Sequence, residues 1–128
     1  MRLGEELGRE ALPGAVYALT GELGAGKTVI AKGIARGLMI PDEITSPTFT
    51  LLEIYRGRLP LYHFDLYRIA RADEFDELGF EEYWYGDGVS IIEWADNAAG
   101  LLPNSAVRVL SEYAGPHARR ITIEHPGD

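Results

Sequence analysis

Eight consecutive residues, Gly21-Glu22-Leu23-Gly24-Ala25-Gly26-Lys27-Thr28, have the types and the spacing of a phosphate-binding loop. They satisfy the pattern G-x-x-x-x-G-K-[ST] at every fixed position. In such a loop the backbone N–H groups surround a phosphate at a helix N-terminus, where the helix dipole favours an anion. Lys27 would reach the terminal phosphates, and the Thr28 hydroxyl would ligate Mg²⁺. The loop therefore predicts a site for a nucleoside triphosphate.

Two acidic residues could complete the chemistry, because hydrolysis also needs a carboxylate that organises Mg²⁺ and a group that positions the attacking water. Asp65 ends the apolar run 61–65, and Glu93 ends the apolar run 89–93. The ends of strands line the ligand crevice of an open α/β sheet. From position alone, each acid is explained equally well as a surface residue just past its strand. The sequence leaves open which of the two would position the water.

Three other side chains carry weaker signals. His63 alternates with its neighbours on a predicted strand, and a single histidine without nearby partners makes no metal site, so it is interpreted as packed or hydrogen-bonded. Trp94 either fills the core or forms the wall of a pocket. Thr48 follows a Ser-Pro step, and it either senses a terminal phosphate or caps a turn.

The elements that would position the loop follow from the spacing of apolar residues. A short apolar run predicts a buried strand at 15–19, directly before the loop, and helical spacing predicts a helix at 29–38, directly after it. Helical spacing also predicts a packing helix at 2–12, ended by Pro13 and Gly14. The apolar face of that first helix would consist of Leu3, Leu7 and Ala11.

The two acids would be carried by strands. Runs at 49–55 and 59–66 predict a hairpin that turns at Gly57 and Arg58. Alternation would place Leu61, His63 and Asp65 on one face of the second arm, and Tyr62, Phe64 and Leu66 on the other. The later elements are helical pieces at 73–78 and 80–85, a buried strand at 89–92, a short helix or turn at 96–100, and a closing antiparallel pair at 106–113 and 120–124. This order predicts an α/β fold with a mixed parallel and antiparallel sheet.

Composition limits the classes of function. A chain of 128 residues with a hydrophobic fraction of 46% suits one domain with one core. No apolar run approaches the roughly 20 residues that span a bilayer, and the charged N-terminus does not resemble a signal peptide. Cysteine is absent, which excludes thiol chemistry and favours a cytoplasmic protein. The net charge of −8 disfavours strong independent binding to nucleic acid.

The acidic residues are concentrated in the run 73–82. The simplest interpretation is a solvated helix face. The alternative is a docking surface for a basic partner.

Five segments in this order carry a resemblance to a known family: GELGAGKT, SPTFTLLEIY, YHFDLYRI, DEFDELGFEEYW and IIEWADNAAGLLP. Together they resemble the bacterial TsaE family, also called YjeE, from about Leu3 to Ile123. The phosphate loop is shared by many NTPases. The Ser-Pro-Thr, His-Phe-Asp-Leu-Tyr-Arg and Glu-Trp segments are specific when they occur in this order.

The resemblance implies a P-loop NTPase fold and an ATPase of the tRNA threonylcarbamoyladenosine pathway, which modifies adenosine 37. It implies ATP and Mg²⁺ as cofactors and two partner proteins, TsaB and the transferase TsaD. The ATPase would be slow alone, would be stimulated by the partners, and would reset the transferase complex between turnovers. Contact with tRNA would be indirect, through the complex.

The resemblance also implies roles for individual residues. Lys27, Asp65 and Glu93 would be catalytic, with Asp65 facing the nucleotide and the attacking water, and Thr28 and Glu93 would hold Mg²⁺. The residues implied in nucleotide binding are Glu22, Leu23, Gly24, Ala25, Gly26, Lys27, Thr28, Thr48, Asp65, Trp94 and Arg119. Thr48 belongs to a switch segment beside the terminal phosphate, and Arg119 precedes the last strand.

The sequence departs from the family pattern at three places. Glu22 replaces a common aspartate, and Val29 replaces a common second threonine, without removing any phosphate-binding group. Family members usually carry another strand or turn before the helix at Leu3, on the adenine side of the pocket. We expect one ATPase domain at 1–128 without that strand.

Two other functions are compatible with a phosphate loop. One is a nucleotide-gated binding module of the same complex, in which hydrolysis is incidental. The other is a kinase, which would need a lid of arginines over the phosphates. The candidate arginines show no clustered lid pattern, which disfavours the kinase; they are Arg56, Arg58, Arg68 and Arg71.

Overall fold

The computed structural model of the chain describes residues 2–21, 25–44, 51–67, 69, 71–115 and 118–125, with the backbone alone at 21, 25–28, 72, 98, 99, 113–115, 118 and 119. The first half contains helix α1 (Arg2–Glu10), strand β1 (Val16–Gly21), helix α2 (Ala25–Gly37) and the hairpin of β2 (Leu52–Arg56) and β3 (Pro60–Asp65). The second half contains α3 (Ala72–Leu78), a 3₁₀ segment (Phe80–Tyr85), β4 (Val89–Glu93), a second 3₁₀ segment (Ala95–Leu101), β5 (Val107–Gly115) and β6 (Ala118–Glu124).

The six strands form one sheet in the order β2-β3-β4-β1-β5-β6. The four inner strands are parallel to one another, and β2 and β6 pair antiparallel at the two edges. This arrangement confirms the predicted α/β fold and its mixed sheet. Because the inner strands are parallel, their carboxyl ends meet at one edge of the sheet.

Each face of the sheet is covered by a separate apolar core. Helices α1 and α2 cover one face, where Leu19 and Ile91 pack against Ile30 and Ile34 of α2. The other core is aromatic and contains Phe64, Phe75 and Trp84, among other residues. Along β3, Leu61 belongs to the first core while Tyr62, Phe64 and Leu66 belong to the second, so the predicted alternation is confirmed.

Helix α1 packs against α2 more closely than its leucines suggested. Gly4 and Gly8 are its buried positions, whereas Leu3 and Leu7 are only partly buried. A Cβ atom added at Gly4 would lie 2.8 Å from the carbonyl oxygen of Ile30, and one added at Gly8 would lie 3.0 Å from the Cα atom of Gly37. The predicted packing face is confirmed at Ala11, which is buried in the core, and at Leu7, which packs against it, while the glycines bring the two helix backbones together.

Some boundaries differ from the predicted ones. Helix α2 begins at Ala25, four residues before the predicted start, so the end of the phosphate loop is already helical. Strand β2 begins at Leu52 rather than at 49, because Leu51 has a left-handed φ of 70° that interrupts extended backbone. Residues 45–50 lie outside the described residues. In the part of the chain that is described, no helix has the length and apolar character needed to cross a membrane.

Arg58, in the predicted hairpin turn, ties the hairpin to the C-terminus of α1. Its Nη2 atom donates to the carbonyl oxygens of Gly8, Arg9 and Ala11 at 2.8, 3.1 and 3.0 Å. A cation at the end of α1 donates to carbonyl oxygens there and also complements the helix dipole. Arg58 therefore has a structural role at the end of α1.

Candidate active site

The phosphate loop connects β1 to α2 within three residues. Strand β1 ends at Gly21 and helix α2 begins at Ala25, which confirms the predicted order of strand, loop and helix. The backbone of Lys27 and Thr28 lies in the first turn of α2, where N–H groups have no helical partner. This turn offers a helix N-terminus to an anion, at the end of the central strand.

Several predicted site residues lie outside what the structure describes. Residues Glu22, Leu23, Gly24 and Thr48 belong to undescribed segments, and no side chain is described for Ala25, Gly26, Lys27, Thr28 or Arg119. Their roles remain predictions. The backbone of Arg119 pairs with Tyr113 of β5, two residues beyond the pairing of Ser111 with Gly21. Arg119 therefore stands at the same edge of the sheet as the phosphate loop.

The two predicted carboxylates occupy neighbouring strand ends. Asp65 of β3 is in register with Glu93 of β4, and Glu93 is in register with Leu19 of β1. Adjacent strands lie about 4.8 Å apart, so these acids stand within two strands of the one that leads into the loop. Side chains alternate along a strand, which places both acids on the face that α2 covers. The structure therefore brings together the acids that the sequence singled out separately.

Glu93 is buried and bonded to a histidine. Glu93 is only 6% exposed and His63 only 1% exposed. The Oε2 atom of Glu93 lies 2.6 Å from Nε2 of His63. The interpretation of His63 as a hydrogen-bonded histidine is confirmed. The sequence did not identify the partner, because the contact joins residues on different strands that are 30 positions apart. The sequence feature that could have indicated this contact is that His63 and Glu93 lie on the same face near the ends of their two strands.

Asp65 is also buried, and its surroundings differ from those of Glu93. Its Oδ1 atom accepts the backbone N–H of Tyr67 at 3.0 Å, which closes a turn immediately after β3. A carboxylate that accepts a nearby backbone N–H in this way has a fixed orientation. The turn brings the Tyr67 ring to the edge of the site.

Trp94 follows Glu93 in a left-handed conformation, with a φ of 59°. Such a backbone conformation is unusual for a large residue and tends to occur at functional sites. The half-buried Trp94 ring packs against the second core, and its centroid is 4.9 Å from that of Tyr67. Trp94 thus contributes to the core and also meets a ring that is 58% exposed. No pattern in the sequence predicts this aromatic pair.

The donor set suits Mg²⁺ that arrives with a nucleotide. Among the described residues, no three histidine or acidic side chains cluster as a complete metal site. Mg²⁺ prefers oxygen ligands and is usually bound through one or two carboxylates together with substrate phosphates. Glu93 and Asp65 supply such oxygens, and Thr28 would add its hydroxyl.

Two of the four arginines considered for a lid have other contacts in the structure. Arg58 donates to α1, and Nε of Arg71 lies 3.2 Å from the Asp73 carboxylate. Arg68 lies outside the described residues.

With this geometry established, comparison with known proteins identifies the family. The sequence model of "Threonylcarbamoyl adenosine biosynthesis protein TsaE" matches residues 1–121. The chain belongs to the TsaE family. The resemblance drawn from the five segments is thereby confirmed.

Relatives within the TsaE family align over most of their length. A Treponema pallidum protein is 47% identical over 122 residues, covering 95% of this chain and 90% of the relative. A Bacillus subtilis protein is 44% identical over 119 residues, covering 92% and 74%. Both are named tRNA threonylcarbamoyladenosine biosynthesis protein TsaE.

A solved TsaE-like structure has the same architecture. The crystal structure of Bacillus subtilis YdiB superposes with a TM-score of 0.84 at 38% identity, covering 98% of this chain and 77% of YdiB. The fold is that of a P-loop NTPase. Family and fold both favour a nucleotide-binding site at the loop.

Proposed function

We propose that this chain binds and hydrolyses ATP as a subunit of the machinery that makes threonylcarbamoyladenosine at position 37 of tRNA. Membership of the TsaE family and the names of the relatives support the pathway. The observation that carries the ATPase activity is the register of Asp65 with Glu93 beside the strand that enters the phosphate loop. Two buried carboxylates at this edge are suited to ATP hydrolysis rather than to phosphate binding alone.

In this proposal the loop and the first turn of α2 bind the phosphates through backbone N–H groups, and Lys27 contacts the terminal phosphates. Thr28 and Glu93 would hold Mg²⁺, which when bound neutralises charge on the phosphates. Asp65, fixed by the N–H of Tyr67, orients the attacking water. Glu93 is on the strand that pairs with β1, one strand nearer to the phosphate loop than Asp65, which favours Glu93 over Asp65 as the magnesium residue.

ATP hydrolysis would act on the complex with the partner proteins rather than on tRNA directly. A net charge of −8 opposes independent tRNA binding, so tRNA contact would pass through the partner proteins TsaB and TsaD. Hydrolysis would then reset the transferase complex between turnovers.

The test is ATP turnover by the purified chain, measured alone and with both partner proteins. We expect slow turnover alone and stimulation when TsaB and TsaD are added together. Stimulation should be absent with either partner replaced by serum albumin at equal concentration. A turnover rate that the complete set of partners does not change would contradict the proposal.

A further inference from the structure

We infer that His63 is a positioning residue that orients the Glu93 carboxylate toward a nucleotide-bound Mg²⁺. The inference rests on the proposed function, in which Glu93 holds Mg²⁺. It comes from the contact between the two side chains, from their burial, and from the surroundings of the imidazole ring.

The contact is specific in geometry. His63 pairs in register with Ile91, so Glu93 stands two residues further toward the site on the adjacent strand. Both side chains point to the face covered by α2, and Nε2 of His63 reaches Oε2 of Glu93 at 2.6 Å. This is the length of a strong, charge-assisted hydrogen bond. The histidine thus lies behind the carboxylate, on the side away from the strand end.

The surroundings of Nδ1, the other ring nitrogen, indicate which tautomer the imidazole of His63 adopts. Within the described part of the chain, Nδ1 of His63 is buried and has no hydrogen-bond partner. A buried N–H without an acceptor is more costly than a buried lone pair, which favours the tautomer that carries its proton on Nε2 and donates it to Glu93. The bond to Glu93 is therefore the polar contact that compensates the burial of this ring.

Packing alone does not explain a histidine at this position. Its neighbour on the same face of β3 is Leu61, which is fully buried without any polar group. A leucine at 63 would fill comparable space and would avoid the cost of an unsatisfied ring nitrogen. Leucine could not donate a hydrogen bond to Oε2 of Glu93, which the histidine ring does.

Hydrogen-bonded partners of metal ligands typically change metal affinity by about 10- to 100-fold when they are removed. Mg²⁺ should lower the dissociation constant of ATP in wild type. We expect His63→Leu to reduce this effect of Mg²⁺ by about tenfold or more. His63→Gln is the matched control, because its side-chain amide offers a donor near the position of Nε2. It should restore most of the Mg²⁺ dependence.

The measurement is the dissociation constant of ATP by calorimetry, with EDTA and with a series of Mg²⁺ concentrations, for wild type, His63→Leu, His63→Gln and Glu93→Gln. With EDTA, all four should bind ATP alike, because the loop is unchanged. With Mg²⁺, His63→Leu should resemble Glu93→Gln. Full Mg²⁺ dependence in a folded His63→Leu protein, or an equal loss in His63→Gln, would overturn the inference.

Failure of the proposed function has a different signature. Wild type that does not bind ATP, or that binds it without any response to Mg²⁺, would refute the proposed function and this inference with it. If His63→Leu does not fold, the test is nitrogen-15 NMR of the imidazole rings in the wild-type protein. The buried His63 ring should shift when Mg²⁺ is added to the ATP complex; an unchanged His63 signal would overturn the inference.

Discussion

Asp65 and Glu93 are chemically similar acids that the fold holds in different ways. Glu93 is held by a side chain, through Nε2 of His63, whereas Asp65 accepts a backbone N–H from Tyr67. Side-chain support can be altered by substitution, while backbone support moves only with the turn that carries it. The support that His63 gives to Glu93 can therefore be tested by substitution at 63.

Replacing Lys27 tests the phosphate loop. Lys27→Ala removes the ammonium group that contacts the terminal phosphates, and we expect ATP affinity to fall by at least about tenfold, equivalent to about 1.4 kcal/mol. Lys32→Ala is the control, because Lys32 lies on the same helix with an exposed side chain and is the only other lysine in the sequence. Calorimetric titration with ATP measures both. Equal affinities of Lys27→Ala and wild type would contradict the nucleotide site.

Replacing Glu93 by glutamine separates hydrolysis from binding. The variant keeps the size of the side chain and removes its charge, so we expect ATP still to bind through the loop, with a smaller gain in affinity from Mg²⁺, and turnover to stop. Turnover is followed by phosphate release, and tRNA modification is followed with the partners present. Loss of both would support the ATPase. Modification that continues at the wild-type level without hydrolysis would favour the nucleotide-gated binding module.

At the level of elements, the position of α2 depends on α1. The two helices meet through glycines, so their backbones approach without intervening side chains. Helix α2 carries the end of the phosphate loop in its first turn. A change that separates the helices should therefore lower both the free energy of unfolding and the affinity for ATP.

Gly8→Ala tests this contact. Its added methyl group would lie against the carbonyl oxygen of Ile34 and the backbone of Gly37, neither of which is a flexible side-chain end. Overpacking of this kind destabilises by about 1–3 kcal/mol, against which alanine regains about 1 kcal/mol of helix propensity. We expect a net loss in urea unfolding. Gly100→Ala is the control, because a Cβ atom there meets nothing within 4 Å. An equally stable Gly8→Ala protein would show that the helices can separate freely.

Arg58→Ala tests the connection between the hairpin and α1. The substitution removes the donor that three carbonyl oxygens share, and we expect a loss of about 1–2 kcal/mol in the free energy of unfolding. Arg56→Ala, at an exposed position of the same hairpin, should change stability less. Urea denaturation of both variants measures the difference. Equal effects would indicate that the loss reflects charge rather than the cap.

At the level of the whole molecule, local patterns predicted the elements but not their arrangement. Alternation along 59–66 correctly assigned the faces of β3, and the loop motif predicted the helix that follows it, although α2 begins four residues before the predicted start. The strand order, the glycine contact between α1 and α2, and the bond between His63 and Glu93 depend on residues far apart in the sequence. No periodicity encodes such contacts, and the left-handed φ of Leu51 and Trp94 is likewise imposed by tertiary packing.

Stability of the whole fold should depend on alkaline pH through Tyr17. Burial raises the pKa of the Tyr17 hydroxyl, and Glu10 raises it further. The same hydroxyl donates to the carbonyl oxygen of Leu7, and so joins β1 to α1. Because the folded protein keeps this proton more tightly than the unfolded chain does, it binds more protons above the unfolded pKa of about 10. The contribution of Tyr17 is therefore complete below that pH and is lost as the pH rises through the raised pKa.

Tyr17→Phe cannot lose this proton, so its free energy of unfolding should decline less steeply than that of wild type above about pH 10. Below that pH the variant should be less stable by about 1 kcal/mol, because the bond to Leu7 is missing. Urea unfolding at intervals from about pH 8 to about pH 11 measures both effects. The two proteins share every other ionisable side chain, so the difference between the two curves isolates Tyr17. Parallel curves across this range would show that the Tyr17 proton is held no more tightly in the folded protein than in the unfolded chain.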